Sequence, residues 1–315
     1  MSFAFVFPGQ GSQSVGMLRA LGAEPEVRRT FTEASEALGY DLWALAQEGP
    51  ADRLNATENT QPALLAAGVA LWRLWRRRGG AEPVAVSGHS LGEFTALVCA
   101  QVLDFRAAVD LVRHRGRLMQ EAVPAGAGAM AAILGLDEGQ VADACQAGAE
   151  GAVVEPVNLN APGQVVIAGD RAAVERAVEA AKRLGAKRAV TLPVSVPAHS
   201  RLMRSAAERF EARLQSLELS APRLAYVSAV DAAPHDDPAD IRHLLVRQLA
   251  SPVRWQHTVQ ALEARGIAAL IECGPGRVLT GLNRRIVSRP DLKCLAIEDP
   301  ASIDTALAAV APSGG

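Results

Sequence analysis

Gly88-His89-Ser90-Leu91-Gly92 stands between an apolar, β-branched run at 83–87 and a stretch of helical character that begins at Leu91. A Gly-x-Ser-x-Gly pattern at a strand–turn–helix junction is the setting of a nucleophile elbow. The glycines permit a sharp turn that lifts the serine hydroxyl clear of the sheet. The N–H groups at the start of the next helix face outward, where they can stabilise a developing oxyanion. The five-residue pattern alone arises by chance, so the weight rests on the strand before it and the helix after it.

A serine nucleophile needs a base within reach. Of the six histidines, His89 points away from its neighbour Ser90, and His114 falls opposite the apolar stripe of its helix. His235 sits in a polar loop, and His243 and His257 lie in helices among charged neighbours. His199 differs. An extended segment runs into Pro197, which keeps the preceding residue extended, and the chain then turns into a helix. A strand-to-helix junction at the carboxyl end of a sheet is where open α/β sheets bind ligands. The alternative for His199 is a packed core side chain.

Arg115 is the third candidate. On a helix over 104–120, Phe105, Ala108, Val112 and Met119 share one face, and Arg115 falls inside that apolar sector. A charge that faces a core needs a partner. The partner is an anion, either a protein carboxylate in a structural ion pair or a substrate carboxylate held by two prongs. The loop Phe7–Gln13, FPGQGSQ, allows close backbone approach, and Gln10 or Gln13 could aim an amide at a ligand. It matches neither GxGxxG nor a Walker A loop.

The elements that must hold these groups follow from periodicity. Strands are expected at 3–7 and 83–87 and helices at 26–38, 61–78, 91–101 and 104–120, an alternation that indicates a parallel sheet with helices on both faces. The rhythm then changes. A strand at 128–134, a helix at 137–147, strands at 153–159 and 164–169, a helix at 170–184 and a strand at 187–194 give the β-α-β-β-α-β order of a ferredoxin-like unit. An inserted subdomain is therefore expected at 124–195, within a discontinuous core of 1–123 and 196–315. The core resumes with helices near 200–216, 238–249, 255–265 and 276–286 and strands near 224–230, 268–272 and 294–297. The closing Pro-Ser-Gly-Gly is expected to fray.

Composition narrows the field. The chain has 315 residues, 49% hydrophobic and 21% charged, with net charge −2, so nothing global points to nucleic acid. Four scattered cysteines show no metal-ligand spacing, so no metal is expected. The N-terminus lacks a basic signal-peptide region, and the uncharged stretch 122–136 is too short for a membrane span. A reduced, cytoplasmic setting is the expectation.

Taken together the motifs are specific. FVFPGQGSQSVGM at 5–17, TQPAL at 60–64, GHSLGEFTALVCA at 88–100, RGRLMQ at 115–120, NAPGQVVIAG at 160–169, PVSVPAHSRLM at 193–203, VRQLASPVRW at 246–255 and ECGPGRVLTGL at 272–282 closely resemble the malonyl-CoA:acyl carrier protein transacylases of bacterial fatty-acid synthesis. That family is shared with the acyltransferase domains of polyketide synthases. The resemblance runs to about residue 287. It implies an α/β-hydrolase-like core with an inserted ferredoxin-like subdomain. It implies Ser90 as the acylated nucleophile and His199 as general base and then acid. Gln248 would orient the histidine through its backbone carbonyl, so that loss of its side chain is expected to be mild. Gln10 and Leu91 would form the oxyanion hole through backbone N–H groups, Arg115 would clamp the malonate carboxylate, and Asn160 would help line the site. Ala198 departs from the serine common before this histidine, but is still small.

The implied reaction is a ping-pong malonyl transfer from malonyl-CoA to the phosphopantetheine thiol of acyl carrier protein, with no cofactor, no nucleic-acid or membrane partner, and a monomeric enzyme. Alternatives are an acyltransferase of a polyketide or malonate-decarboxylase pathway, or a serine thioesterase. The last would require a late histidine in a suitable loop and gives Arg115 no role.

Overall fold

The computed structural model describes residues 1–194 and 196–311. The closing Pro-Ser-Gly-Gly lies outside the described residues.

The chain opens with β1 (Phe3–Phe7), followed by α1 (Pro25–Leu38), α2 (Leu42–Glu48), α3 (Ala51–Asn55) and the long α4 (Thr57–Arg77). Next come β2 (Ala85–Gly88), α5 (Gly92–Cys99) and α6 (Phe105–Glu121). The second region comprises β3 (Gly128–Leu134), α7 (Glu138–Ala149), β4 (Val154–Ala161), β5 (Gln164–Asp170), α8 (Arg171–Arg183) and β6 (Arg188–Thr191). The chain then forms α9 (Arg204–Gln215), β7 (Ala225–Val227), β8 (Pro234–His235), α10 (Pro238–Gln248) and α11 (Trp255–Ala264). It ends with β9 (Ala269–Cys273), α12 (Val278–Ile286), β10 (Lys293–Ile297) and α13 (Pro300–Val310).

Six strands form one sheet in the order β10-β9-β1-β2-β7-β8. All neighbours are parallel except β8, which runs antiparallel to β7 at the edge. The central β1 is buried at every residue, as a parallel strand covered on both faces must be. Its period-2 alternation divides the core. Phe3, Phe5 and Phe7 face the layer containing α4, where the Phe5 and Trp75 rings meet edge to face at 5.2 Å. Ala4 and Val6 face the opposite layer with Trp255, Leu262 and Leu270.

The second sheet is antiparallel throughout, in the order β4-β5-β3-β6. One face, with Ala131, Ile133, Val165 and Ile167, packs on the apolar stripes of α7 and α8. The other face, with Met130, Val157, Val166 and Ala168, turns to Leu192, Val194 and Ala198. This second face closes over the main sheet's serine turn.

The expected elements from 128 to 191 agree with the observed ones to within a few residues. Periodicity missed α2, α3 and α13, which are short or bounded by caps rather than by a long apolar stripe. Asp41 accepts from Ala44 N–H at the start of α2, and Asp299 and Ser302 form a reciprocal cap on α13. His235, expected in a loop, lies in the two-residue edge strand β8, with its ring against Asp231.

Candidate active site

Both reactive side chains sit on strained backbone. Ser90 adopts φ 53° and His199 φ 65°, a left-handed conformation that a residue with a Cβ adopts only when its surroundings enforce it. For Ser90 the enforcement is visible in the flanking glycines. A Cβ on Gly88 would lie 1.9 Å from the carbonyl carbon of Gly92, and a Cβ on Gly92 would lie 1.9 Å from Phe7 O. The turn therefore closes only with glycine at both positions.

The Ser90 hydroxyl lies 2.7 Å from His199 Nε2, and His199 Nδ1 lies 2.7 Å from the backbone oxygen of Gln248. A carbonyl can only accept, so Nδ1 bears the proton and Nε2 is left as the acceptor for the serine O–H. The two carbonyls that hold this residue come from the C-terminal end of α10. Gln248 O takes the ring N–H, and Leu249 O takes the His199 backbone N–H at 3.1 Å. A helix leaves its last carbonyls free for such use, and its negative end favours a proton on the imidazole as the reaction proceeds. In the resting site burial pushes the His199 pKa down to about 3, and the Arg115 charge adds to this.

Arg115 projects from α6 and is 1% exposed. Its Nη1 donates to Gln61 Oε1 at 3.0 Å, and its Nη2 donates to Gln248 Oε1 at 2.8 Å and to Ser90 Oγ at 3.3 Å. Its Nε has no partner, and the guanidinium stands 5.4 Å over the Phe94 ring. Among the described residues no carboxylate forms an ion pair with it. Of the two alternatives left open by helical periodicity, the structural ion pair is not formed.

Ser90, His199 and Arg115 open on one cavity of about 630 Å³, which Gln10, Leu91 and Met130 also line. That volume suits a small ligand or the end of a long one. The backbone N–H groups of Gln10 and Leu91 bond to no acceptor among the described residues. Gln13 spends its amide on protein partners, accepting from Gly11 N–H in its own loop and donating to Asn55 Oδ1 at the end of α3.

Asn160 has a different place from the one expected. It does not line the cavity. Its Oδ1 lies 2.9 Å from His89 Nε2, so it fixes the ring next to Ser90. Asn158, two residues earlier, lines the cavity instead, with its Oδ1 buried and unpartnered.

Three groups escaped the sequence reading. Gln61 was visible only as part of TQPAL. The Gln248 side chain was assigned no role, yet it accepts from Arg115 and donates to Ser90 O at 2.9 Å and to Glu93. Glu93 is 1% exposed and takes hydrogen bonds from Tyr226, Ser228 and the Ala229 N–H. Its signal was a lone charge in α5, a helix otherwise made of apolar and small residues.

Comparison with known proteins agrees over almost the whole chain. The model of the acyl transferase domain family matches residues 4–297. The chain is 56% identical to the malonyl CoA-acyl carrier protein transacylase of Salmonella typhimurium, over 97% of this chain and 98% of the relative. Its fold superposes with TM-score 0.95 on an acyl carrier protein S-malonyltransferase from Vibrio cholerae, at 55% identity, covering 97% and 100% of the two chains. A malonyl-transacylase solved in complex with its type II PKS acyl-carrier protein superposes with TM-score 0.96 at 54% identity, covering 98% and 100%.

Proposed function

The chain belongs to the acyl transferase family and within it to the malonyl CoA-acyl carrier protein transacylases, and from that premise we propose how its own residues move a malonyl group from coenzyme A to acyl carrier protein for fatty-acid chain elongation. The observation that supports the reading most is the position of Arg115. Its guanidinium edge lies 3.3 Å from Ser90 Oγ and faces only neutral acceptors. Malonyl has a free carboxylate two bonds from its thioester carbon, so a malonyl group on Ser90 brings that carboxylate to the guanidinium.

In the first half-reaction the Ser90 proton passes to His199 Nε2 as Oγ bonds to the thioester carbon. The Gln10 and Leu91 N–H groups receive the oxyanion. The C–S bond then breaks, and the coenzyme A sulfur takes the proton from His199. In the second half-reaction the phosphopantetheine thiol gives its proton to His199 and attacks malonyl-Ser90, and Ser90 regains its proton as the C–O bond breaks. One thioester is exchanged for another, so the reaction is reversible and uses no cofactor. Gln248 holds the His199 tautomer through its carbonyl, a role supported by the 2.7 Å contact to Nδ1.

The main sheet reads as an α/β-hydrolase-like core, discontinuous over 1–123 and 196–315. The segment 124–195 reads as a ferredoxin-like subdomain, supported by its element order and by its sheet order β4-β5-β3-β6. Four unpaired, buried cysteines suit a reducing cytoplasm, and no described helix is long and apolar enough to cross a membrane. We take the working unit to be a monomer, since all the catalytic groups named come from one chain.

The test is intact-mass spectrometry after mixing with malonyl-CoA. One malonyl group is expected on the protein and none on Ser90→Ala, with the label passing to added acyl carrier protein bearing its phosphopantetheine. A labelled Ser90→Ala would place the nucleophile elsewhere.

A further inference from the structure

A buried guanidinium without a carboxylate partner is costly, yet Arg115 has none at hydrogen-bond distance. The missing negative charge lies one residue further away. Arg115 Nη2 donates to Gln248 Oε1 at 2.8 Å, and the other end of that amide, Nε2, donates to Glu93 Oε2. We propose that Glu93 is a positioning residue that sets selectivity for malonyl by holding the counter-charge of Arg115 one amide away. The proposal rests on the acyl-transfer reading above and deepens it.

Every group that faces Glu93 donates. Tyr226 Oη reaches Oε1 at 2.7 Å, Ser228 Oγ at 2.8 Å and Ala229 N–H at 2.8 Å. Ser228 Oγ itself accepts from Val230 N–H at 3.2 Å, which leaves its own proton for Glu93. The Ala229 N–H and the Gln248 amide on Oε2 can only donate, and together with the two hydroxyls they oppose the upward push of burial on the Glu93 pKa. The arrangement therefore suits the ionised carboxylate.

That carboxylate decides which end of the Gln248 amide meets Arg115. The Gln248 NH2 group is drawn to Glu93 Oε2 and to Ser90 O, so its carbonyl must face the guanidinium. A turned amide would set donors against donors. The spacing has a second effect. A carboxylate directly on Arg115 would saturate the guanidinium with a charge-assisted pair. Amide oxygens from Gln61 and Gln248 accept from it but bring no opposite charge, so they hold it less tightly than a carboxylate would. Exchange of such a partner for a substrate carboxylate is favourable, and a neutral acyl group offers no such exchange.

The experiment compares kcat/KM for malonyl-CoA and acetyl-CoA in the wild type, in Glu93→Gln and in the reversed pair Glu93→Gln/Gln248→Glu. In Glu93→Gln the new amide sets an NH2 group against that of Gln248. The malonyl-to-acetyl ratio is expected to fall about thirtyfold or more, the low end for disrupting a buried charge pair, with the change in KM for malonyl-CoA. The reversed pair restores the donor–acceptor contacts around position 93 but sets the carboxylate directly on Arg115 and gives up the donor to Ser90 O. Its ratio is expected to stay low. A wild-type ratio in Glu93→Gln overturns the proposal, and so does an equal loss for both substrates. Recovery in the reversed pair also overturns it, because connectivity alone would then suffice. Should Glu93→Gln not fold, the reversed pair decides by the same criterion. A wild-type protein that takes no malonyl at all would overturn the transfer reading itself, which is a different result from a labelled wild type with unchanged ratios in the variants.

Discussion

Glu93 and Glu272 are both almost fully buried, at 1% and 0% exposure, and burial raises the pKa of both. Their partners separate them. Glu272, in β9, accepts from Leu279 N–H at 3.0 Å and Thr280 N–H at 2.6 Å, in the first turn of α12. Those contacts span seven and eight residues and satisfy the free donors of a helix start. The Glu93 partners are 133 to 155 residues away in sequence and include the residue that touches Arg115 and His199. A buried charge by itself therefore says little about function. A charge whose partners are local serves the fold, and one whose partners converge on a nucleophile from distant segments serves the site.

The largest effect is expected at the site's own base. His199→Ala removes the proton acceptor from both half-reactions, and the rate should fall by ~10²–10⁴ or more. Single-turnover labelling with malonyl-CoA measures the first half-reaction and transfer to acyl carrier protein the second. If the variant keeps the wild-type rate at neutral pH, His199 is a packing residue and stands on the side of Glu272 in the comparison.

Arg115→Ala comes next. Malonyl transfer should fall by ~2–5 kcal/mol, the cost of removing one partner of a buried charged contact, while acetyl transfer falls little or rises. Arg115→Lys should recover only part, because an ammonium group cannot offer two parallel donors. Gln248→Ala, expected from the sequence to be mild, is now expected to follow Arg115→Ala in direction. It preserves the carbonyl for His199 but deletes the acceptor for Arg115 and the donor to Glu93. The ratio of kcat/KM values for the two substrates checks both. An equal fall for malonyl and acetyl would assign these residues to structure.

The division between what the sequence disclosed and what it hid follows the same physical line. Ser90 lay in a local pattern of glycines between a strand and a helix, and Arg115 broke a helical apolar face. Both signals lie within one element, where periodicity reads directly. The β-α-β-β-α-β segment was legible for the same reason, since each element has a clean apolar face. His199 was singled out by the proline before it, but the carbonyls that hold it belong to α10, 49 residues away, and reached the sequence reading only through resemblance. The Glu93–Gln248–Arg115 chain joins three helices through side-chain hydrogen bonds, and no spacing along the chain encodes such a contact. Asn160 shows a related limit. Its neighbourhood could be inferred from motifs, but β4 has irregular register between Pro156 and Ala161. Which asparagine faces the cavity was settled by that irregularity.

Glu272 supplies the counterpart on the stability side. Glu272→Ala leaves two buried N–H donors of α12 without an acceptor, at ~1–3 kcal/mol each. The midpoint of denaturant unfolding should drop accordingly, while the malonyl-to-acetyl ratio of the folded protein stays at its wild-type value. A changed ratio would mean that the two glutamates are not separate in function.

The smallest expected effect is a displacement of a pH limb, and it tests whether Arg115 acts on His199 as well as on substrate. Burial is the main cause that brings the His199 pKa from its ordinary 6.5 to about 3, the Arg115 charge adds to it, and the Gln248 carbonyl opposes it. The free enzyme should therefore keep a neutral base well below pH 6.5. Inactivation of Ser90 by a sulfonyl fluoride reports this without a substrate carboxylate. Its rate should stay level as the pH falls through the usual histidine range. In Arg115→Ala both the positive charge and part of the desolvation disappear, so the acid limb should move up toward 6.5. Stability should follow the same sign. The unfolded chain takes up the His199 proton at a higher pH than the fold does, so this residue stabilises the fold above pH 6.5 and loses that contribution as the pH falls toward 3. A limb that begins at 6.5 in the wild type, or that does not move in Arg115→Ala, would show that the guanidinium serves the acyl group alone.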